Sequence, residues 1–111
     1  MVTLDTIFEL LEDERRRYVL YYLYEADGPV AVRELVETID TWEDEPPCDE
    51  LRNRFDTIAA DLKHTHLPKS AEVEFVQYDS EQGVIQMQGT PATFDTFVTI
   101  AKLVEASKKD R

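Results

Sequence analysis

The sequence predicts a mainly helical α+β fold in which several helices precede one β-hairpin and a further helix follows it. Apolar residues recur at the helical spacing of three and four along most of the chain. The period changes to two between about residues 72 and 88, where two alternating segments flank a turn that contains Asp, Ser and Gly. An order of helices followed by a hairpin is typical of a winged helix-turn-helix, and here a C-terminal helix is added.

Length and composition bound the domain organisation and the compartment. At 111 residues the chain has room for one domain with one modest core. No run approaches the roughly 18 consecutive apolar residues of a membrane span, and the first residues lack the basic and apolar regions of a signal peptide. The single cysteine, Cys48, fits a reducing compartment and reads as an incidental loop thiol. We therefore expect one cytoplasmic domain, residues 1–111, without a membrane partner.

The first half of the chain predicts three helices and one short strand. Helices are expected at about residues 3–11, 14–24 and 33–39, and Asp13 is the expected N-cap of the second. Residues 30–32 are short and β-branched, and predict a single edge strand. In the first helix the side chains expected to face inward are Leu4, Ile7, Phe8 and Leu11. In the second they are Val19, Leu20 and Leu23.

The second half begins with an acidic, proline-bearing loop at residues 40–48, in which Trp42 is expected to pack on the protein. A recognition helix is expected at about residues 49–64, ended by Pro68. The wing is expected at about residues 72–88. A C-terminal helix follows at about 90–107, with Thr90 as N-cap and Pro91 at its first position.

The net charge of −12, from 24 acidic and 12 basic side chains, has two interpretations. Such a charge repels nucleic acid at low salt, which favours a protein that avoids DNA. Alternatively, the protein belongs to a halophilic cytoplasm, where the Debye length shortens to about 3 Å and an acidic surface costs little. Five lysines in the whole chain favour the second interpretation, and residues 48–69 carry no net charge.

Two runs of residues resemble a known domain family. The run from Leu11 to Leu20, which contains three consecutive arginines, resembles the opening of many archaeal winged-helix regulators. The run from Leu62 to Lys69 (Leu-Lys-His-Thr-His-Leu-Pro-Lys), followed by Val-Gln-Tyr-Asp at residues 76–79, is more specific. Together they resemble a winged-helix domain family of uncharacterised function that is abundant in haloarchaea. The resemblance implies a winged-helix fold, a halophilic cytoplasm and a role in transcription, but no known ligand.

One residue departs from the pattern of that family. An apolar residue is expected after Pro68 and Lys69, and Ser70 stands there instead. The packing beneath the wing is therefore expected to differ in this chain.

The outward face of the recognition helix predicts a DNA interface. Helical geometry turns one set of side chains to the core and the opposite set outward; the outward set is Asn53, Asp56, Thr57, Ala60 and His64. Candidate base readers are Asn53, Thr57 and His64, because amide, hydroxyl and imidazole groups can bond base edges. Candidate phosphate contacts are Arg52, Arg54, Lys63 and Lys69. The alternative is an ordinary solvated helix face, which Asp56 favours, and the two acids of the wing turn also weaken the DNA interpretation.

Three other features have competing interpretations. The consecutive Arg15, Arg16 and Arg17 could contact phosphate, but acids at residues 12–14 are expected to pair with them. His64 and His66 lack the three or four convergent ligands of a zinc site. The C-terminal helix carries a wide apolar stripe that predicts a homodimer interface, or else only closes the chain's own core; the stripe is Phe94, Phe97, Val98, Ala101 and Val104.

Together these features predict a homodimeric, DNA-binding transcriptional regulator that is not an enzyme and needs no cofactor. The motifs of nucleophilic, phosphate-binding and metalloprotease sites are absent from the sequence. One alternative is a winged-helix module that binds another protein and not DNA. Another is a small-molecule sensor whose pocket is lined by Tyr18, Tyr21, Tyr22 and Phe97, although tyrosines at helical spacing are more often core.

Overall fold

The computed structural model describes residues 2–43 and 51–109, with backbone alone for residues 51–53 and 107–109. The elements, in chain order, are α1 (Leu4–Leu11), α2 (Glu14–Glu25), β1 (Val30–Ala31), α3 (Val32–Trp42), α4 (Leu51–Asp61), a π-helical turn (Leu62–His66), α5 (Leu67–Ser70), β2 (Val76–Asp79), β3 (Val84–Met87) and α6 (Ala92–Lys109). The predicted start of the fourth helix at residues 49–50, and Cys48, lie outside the described residues. The fold is mainly helical with a small sheet.

The three strands form one antiparallel sheet in the order β1-β3-β2. Ile85 of β3 stands opposite both Val30 of β1 and Tyr78 of β2, so β3 is the central strand. The hairpin turn is built by Asp79, whose carboxylate accepts the amides of Glu81 and Gln82. Gly83 follows with a φ of 65°, a conformation that glycine adopts without a steric penalty.

The core lies between the helices and one face of the sheet, and α2 runs through its middle. Val19, Leu20 and Leu23 are buried, as predicted. In α1 the prediction is wrong in part, because Ile7 and Leu10 are buried whereas Leu4 and Phe8 are about half exposed. The apolar stripe of α1 is thus wider than the surface that α2 offers it, and Phe8 instead packs edge-on against Phe97 of α6, with ring centroids 5.4 Å apart.

The N-cap predicted for α2 is confirmed. The carboxylate of Asp13 accepts the amides of Arg15 at 2.9 Å and of Arg16 at 3.2 Å. Burial on its own would raise the pKa of this carboxyl, but the amides of Arg16 and Arg15 and the positive charge of the Arg16 guanidinium together hold the pKa below its ordinary value. The cap is therefore charged near neutral pH, where it also complements the helix dipole.

The helix α3 is longer than predicted and includes Trp42, which the sequence analysis placed in a loop. The Trp42 indole packs against Tyr18 and Tyr22 of α2, with ring centroids 5.9 and 6.1 Å apart. The amide of Glu43 still donates to the Ile39 carbonyl at 2.9 Å. Burial of the indole against α2 thus holds the last turn of α3, and the prediction that Trp42 packs on the protein is confirmed.

Pro68 does not end the fourth helix, contrary to the prediction. The chain passes from α4 through the π-helical turn, in which the Leu67 amide donates to the Leu62 carbonyl, directly into α5. Pro68 then lies in the first turn of α5, a position that proline tolerates. The wider turn buries both His66 and Leu67 and leaves Lys63, His64 and Thr65 exposed.

The strand predicted to begin near residue 72 starts at Val76. Residues 71–75 form turns, because the amides of Val73 and Val76 donate to the carbonyls three residues before them, and so make no sheet bonds. Val73 and Phe75 are buried all the same, since both turns lie against the core. The last helix begins at Ala92, and the Thr90 hydroxyl donates to the carboxylate of Asp95.

Two residues of the predicted dimer stripe belong to the chain's own core. Phe94 is 0% exposed, with its ring centroid 4.8 Å from that of Phe75, and Val98 is 1% exposed. Phe97 and Ala101 are partly buried against the same core. The assignment of Phe94 and Val98 to a partner surface is therefore corrected, because no partner could reach them. The large apolar residues of α6 that are exposed, among its described side chains, are Ile100, Leu103 and Val104.

Ser70, which stands where the sequence resemblance predicts an apolar residue, is buried without a partner among the described residues. Its side chain is 0% exposed, and among the described residues nothing forms a hydrogen bond with its Oγ.

We expect Ser70→Ala to raise the free energy of unfolding by about 1 kcal/mol, because a buried unsatisfied hydroxyl carries a desolvation cost. Urea unfolding measures the change, and Ser80→Ala in the exposed hairpin turn is the control. A loss of stability in Ser70→Ala would show that the hydroxyl has a partner.

Candidate nucleic-acid interface

The three consecutive arginines of α2 are tied to other elements. Both Arg15 nitrogens Nε and Nη2 donate to the two carboxylate oxygens of Glu43, at 2.6 and 2.8 Å, and Nη1 donates to Asp61 of α4 at 3.1 Å. Hydrogen bonding to Glu43 holds the pKa of the Arg15 guanidinium above its ordinary value, against the opposing effect of burial. Arg54 of α4 also donates to Glu43 and to Asp40. This cluster joins α2, the end of α3 and α4.

Arg16 is the most buried of the three, at 5% exposure. It donates to the Leu10 carbonyl at 2.8 Å and to the Glu9 carbonyl at 2.5 Å, so it satisfies the open C-terminal end of α1. Its Nη1 lies 3.3 Å from Nδ1 of His66. An arginine can only donate, which makes Nδ1 the acceptor; Nε2 of His66 then donates to Asp61 at 2.9 Å. His66 is thus a structural link and does not share a site with exposed His64.

Arg17 binds α6. Its Nε donates to Glu105 at 2.6 Å, and its Nη1 donates to the Leu11 carbonyl at 2.6 Å. The Tyr21 hydroxyl donates to the same carboxylate at 2.5 Å. Burial, and then this hydrogen bond, raises the pKa of Tyr21, so the hydroxyl keeps its proton.

The prediction that these arginines are paired is confirmed, but most of the partners differ from those predicted. Of the acids at residues 12–14, Glu12 lies 3.9 Å from Arg16, at the limit of an ion pair. The main partners are Glu43, Asp61, Glu105 and main-chain carbonyls, which the fold brings close from distant parts of the sequence. The three arginines are therefore structural and are not available to phosphate.

The predicted site residues on α4, the π-helical turn and α5 divide into four groups. Thr57 and His64 are exposed, as is Asp56 on the same face. Arg54 is held by Asp40 and Glu43, and Lys69 donates to Glu9 at 3.0 Å and lies 3.5 Å from Glu72. The side chains of Arg52 and Asn53 lie outside the described part of the helix. Lys63 is exposed and forms no ion pair with any described residue.

A groove beside this face holds Lys63 and one residue that the sequence analysis missed, Arg33. The groove has a volume of about 580 Å³ and lies between the N-terminus of α3, α4 and the hairpin turn at Gln82 and Gly83. Arg33, like Lys63, is exposed and has no ion pair within the described chain. The β1–α3 junction is fixed against the hairpin because the Val32 amide donates to the Gly83 carbonyl at 2.8 Å. This junction brings Arg33 to the groove, although 30 residues separate it from Lys63.

The charges of the groove are mixed. Glu37 and Asp56 also line it, and these two carboxylates offset the charges of Arg33 and Lys63. The N-terminus of α3 adds a partial positive charge, since no described side chain caps it. The groove therefore offers donors and cations to an anion, at a net side-chain charge close to zero.

Comparison with known families places this chain in one of them. A family described as a domain of unknown function, DUF7344, matches residues 8–86, from the middle of α1 to β3. The chain belongs to the DUF7344 family. No curated protein and no solved structure matches it. The matched region of the DUF7344 domain contains the arginine cluster and the groove, and it ends before α6.

The described residues of this DUF7344 domain also bear on metal ions and membranes. Among them, no cluster of three or more His, Cys, Asp or Glu side chains could hold a metal ion. Over the same part of the chain, every helix is too short or too polar to cross a bilayer.

We expect Glu43→Gln to lower the free energy of unfolding of the DUF7344 domain by about 3 kcal/mol, because it leaves Arg15 and Arg54 without their shared carboxylate. The Glu43 side chain is 4% exposed, so water cannot reach the two guanidinium groups there and compensate for the lost carboxylate. Denaturant unfolding measures the loss. Glu9→Gln breaks the exposed pair with Lys69 and is expected to cost less than about 1 kcal/mol. Equal losses in the two variants would contradict a structural role for the cluster.

Proposed function

We propose that this chain is a winged-helix, DNA-binding transcriptional regulator that acts as a homodimer in a halophilic cytoplasm. The sheet order β1-β3-β2, with β1 between two helices and a hairpin after the last helix of the group, supports the winged-helix assignment. In this assignment α3 and α4 are the helix pair and the β2–β3 hairpin is the wing. The net charge of −12 supports the halophilic setting.

The observation that carries the proposal is the position of Arg33 and Lys63. The other lysine and arginine side chains that the structure describes are all paired with acids of this chain; they are Arg15, Arg16, Arg17, Arg54, Lys69 and Lys102. Among the described residues Arg33 and Lys63 have no such partner, and both line the groove between α3, α4 and the wing. A phosphate backbone in this groove would meet both cations and the N-terminus of α3. The exposed Thr57 on α4 and His64 on the π-helical turn would then face the base edges.

Glu37, Asp56 and the acids of the wing turn, Asp79 and Glu81, oppose this binding mode. Molar salt screens charges more than about 3 Å apart, so the repulsion falls while short hydrogen bonds remain. The same acids support the second candidate function, a winged-helix module that binds a protein. The two functions differ in whether the chain selects a DNA sequence.

We expect the chain to enrich a pseudo-palindromic motif from a random duplex pool in about 2 M KCl, where an acidic surface is screened. The motif is expected to disappear with the double variant Arg52→Ala/Asn53→Ala, because these residues lie on the recognition helix of the proposal. Selection and sequencing give the readout. A folded chain that enriches no sequence would reject the DNA proposal and favour the protein-binding module.

The role of the groove is tested by comparing the affinities of matched lysine variants for the selected DNA motif. Lys63→Gln is expected to weaken binding about three- to tenfold and to reduce the salt dependence by about one phosphate contact. Lys102→Gln makes the same change at a paired lysine on α6 and is expected to leave the affinity unchanged. Asp56→Asn removes a repulsive charge and is expected to strengthen binding. If Lys63→Gln and Lys102→Gln behave alike, the phosphate path does not follow the groove.

The proposed dimer interface lies across α1 and α6. Phe8 packs on Phe97, which joins the exposed apolar residues of the two helices into one surface: Leu4, Phe8, Ile100, Leu103 and Val104. An apolar surface of this kind is typical of an interface between subunits. Val104 of the predicted stripe belongs to this surface and Phe97 and Ala101 adjoin it, whereas Phe94 and Val98 are buried in the core.

We expect Leu103→Glu to convert the dimer to a monomer, because Leu103 is 67% exposed in the single chain and a carboxylate cannot be buried there unpaired. Sedimentation velocity measures the mass. Ala92→Glu adds the same charge at the exposed N-terminal end of α6 and is expected to leave the dimer intact. A monomeric wild-type chain would reject the dimer and leave the apolar surface unexplained.

A further inference from the structure

A second cavity, of about 510 Å³, lies at the opposite end of α3 from the groove, between α2, the end of α3 and α6. Its lining includes Tyr18, Tyr21, Trp42 and Lys102, and we call it the aromatic cleft. Small-molecule pockets have volumes of roughly 300–1,000 Å³ and combine apolar walls with a few polar groups. We propose that the aromatic cleft binds a small planar aromatic anion, such as an aromatic carboxylate. This site is independent of the proposed DNA interface.

Two carboxylates line the cleft, those of Glu43 and Glu105, and both are already bound by arginines, so they do not favour a cationic ligand. Glu43 accepts two hydrogen bonds from Arg15 and a third from Arg54. Glu105 accepts hydrogen bonds from Arg17 and from the Tyr21 hydroxyl. A cationic ligand would therefore have to displace a guanidinium from a bidentate or partly buried pair, which is unfavourable.

Lys102 is the cation of the cleft that can exchange its partner. Its ammonium pairs with Glu25, but the two side chains are 39% and 60% exposed. An exposed pair of this kind contributes little free energy. A ligand carboxylate can replace Glu25 at Lys102 at small cost, and the released Glu25 side chain is hydrated. Among the described lining residues, Lys102 is the only basic side chain.

The aromatic side chains favour a flat ligand ring. Trp42 is half-buried at the end of α3 and lies nearly perpendicular to Tyr18, at an interplanar angle of 80°. Rings prefer such edge contacts or offset stacking, at centroid distances of about 4.5–7 Å. A planar ligand can add one more ring to this set while its anionic group reaches Lys102. Tyr22 and Phe97, which the sequence analysis also named for a sensor pocket, do not line the cleft.

The test uses 2-naphthoate as the probe, with isothermal titration calorimetry for affinity and the Trp42 indole N–H resonance for location. Trp42 is the only tryptophan of the chain, so its resonance is unambiguous. We expect saturable binding at one site and a shift of the Trp42 resonance. Two matched compounds serve as controls. 2-Naphthylmethylamine keeps the aromatic ring but lacks the negative charge, and cyclohexanecarboxylate keeps the negative charge but lacks the aromatic ring. Each is expected to bind at least about tenfold more weakly, since each lacks one of the two contacts.

The variants separate the cleft from general surface charge. Lys102→Gln is expected to weaken 2-naphthoate binding about tenfold, whereas Lys69→Gln, at a similarly exposed lysine of α5 that pairs with acids, leaves it unchanged. Lys102 is on the surface, so unfolding curves of the variant and wild type should coincide. No saturable binding, equal binding of the amine, or an unchanged affinity in Lys102→Gln would each overturn the proposal. The assay contains no DNA, so its outcome is separate from that of the proposed regulator.

Discussion

The structure depends on three adjacent guanidinium groups that point in different directions from one helix. Successive residues of an α-helix are rotated by about 100°, so Arg15, Arg16 and Arg17 reach three different neighbours of α2. Arg15 holds the end of α3 and α4, Arg16 holds the end of α1, and Arg17 holds α6. A single tripeptide thus fixes the positions of four helices around the apolar core.

This use of arginine determines which cations remain for binding. The chain has 24 acids and 12 bases. Six of the eight lysine and arginine side chains with a described position are paired with acids of the same chain. The positive groups that face solvent without a partner in the described chain are few, and they meet at one groove. The proposed binding surface therefore rests on which cations lack a partner among the described residues, and the total charge is a poor guide to it.

The helices, the hairpin and the outward face of α4 were predictable from the sequence, because each follows from a local period of apolar residues. The partners of the arginines were not predictable, since Glu43, Asp61 and Glu105 lie 28, 46 and 88 residues from them. Arg33 was missed because its position at the groove depends on the pairing of β1 with β3. Pro68 was misread as a helix end, because a π-helical turn before it leaves no sequence signal that we recognise.

The bond from Arg16 to the last carbonyls of α1 has a consequence for how the protein opens. An isolated helix of eight residues is unstable in water, and here the carbonyls at its C-terminal end are satisfied by a side chain of the next helix. Fraying of α1 therefore exposes the Arg16 guanidinium and disturbs His66 and Asp61 beyond it. We therefore expect the N-terminal helix and the arginine-bearing turn of α2 to open together as one cooperative unit.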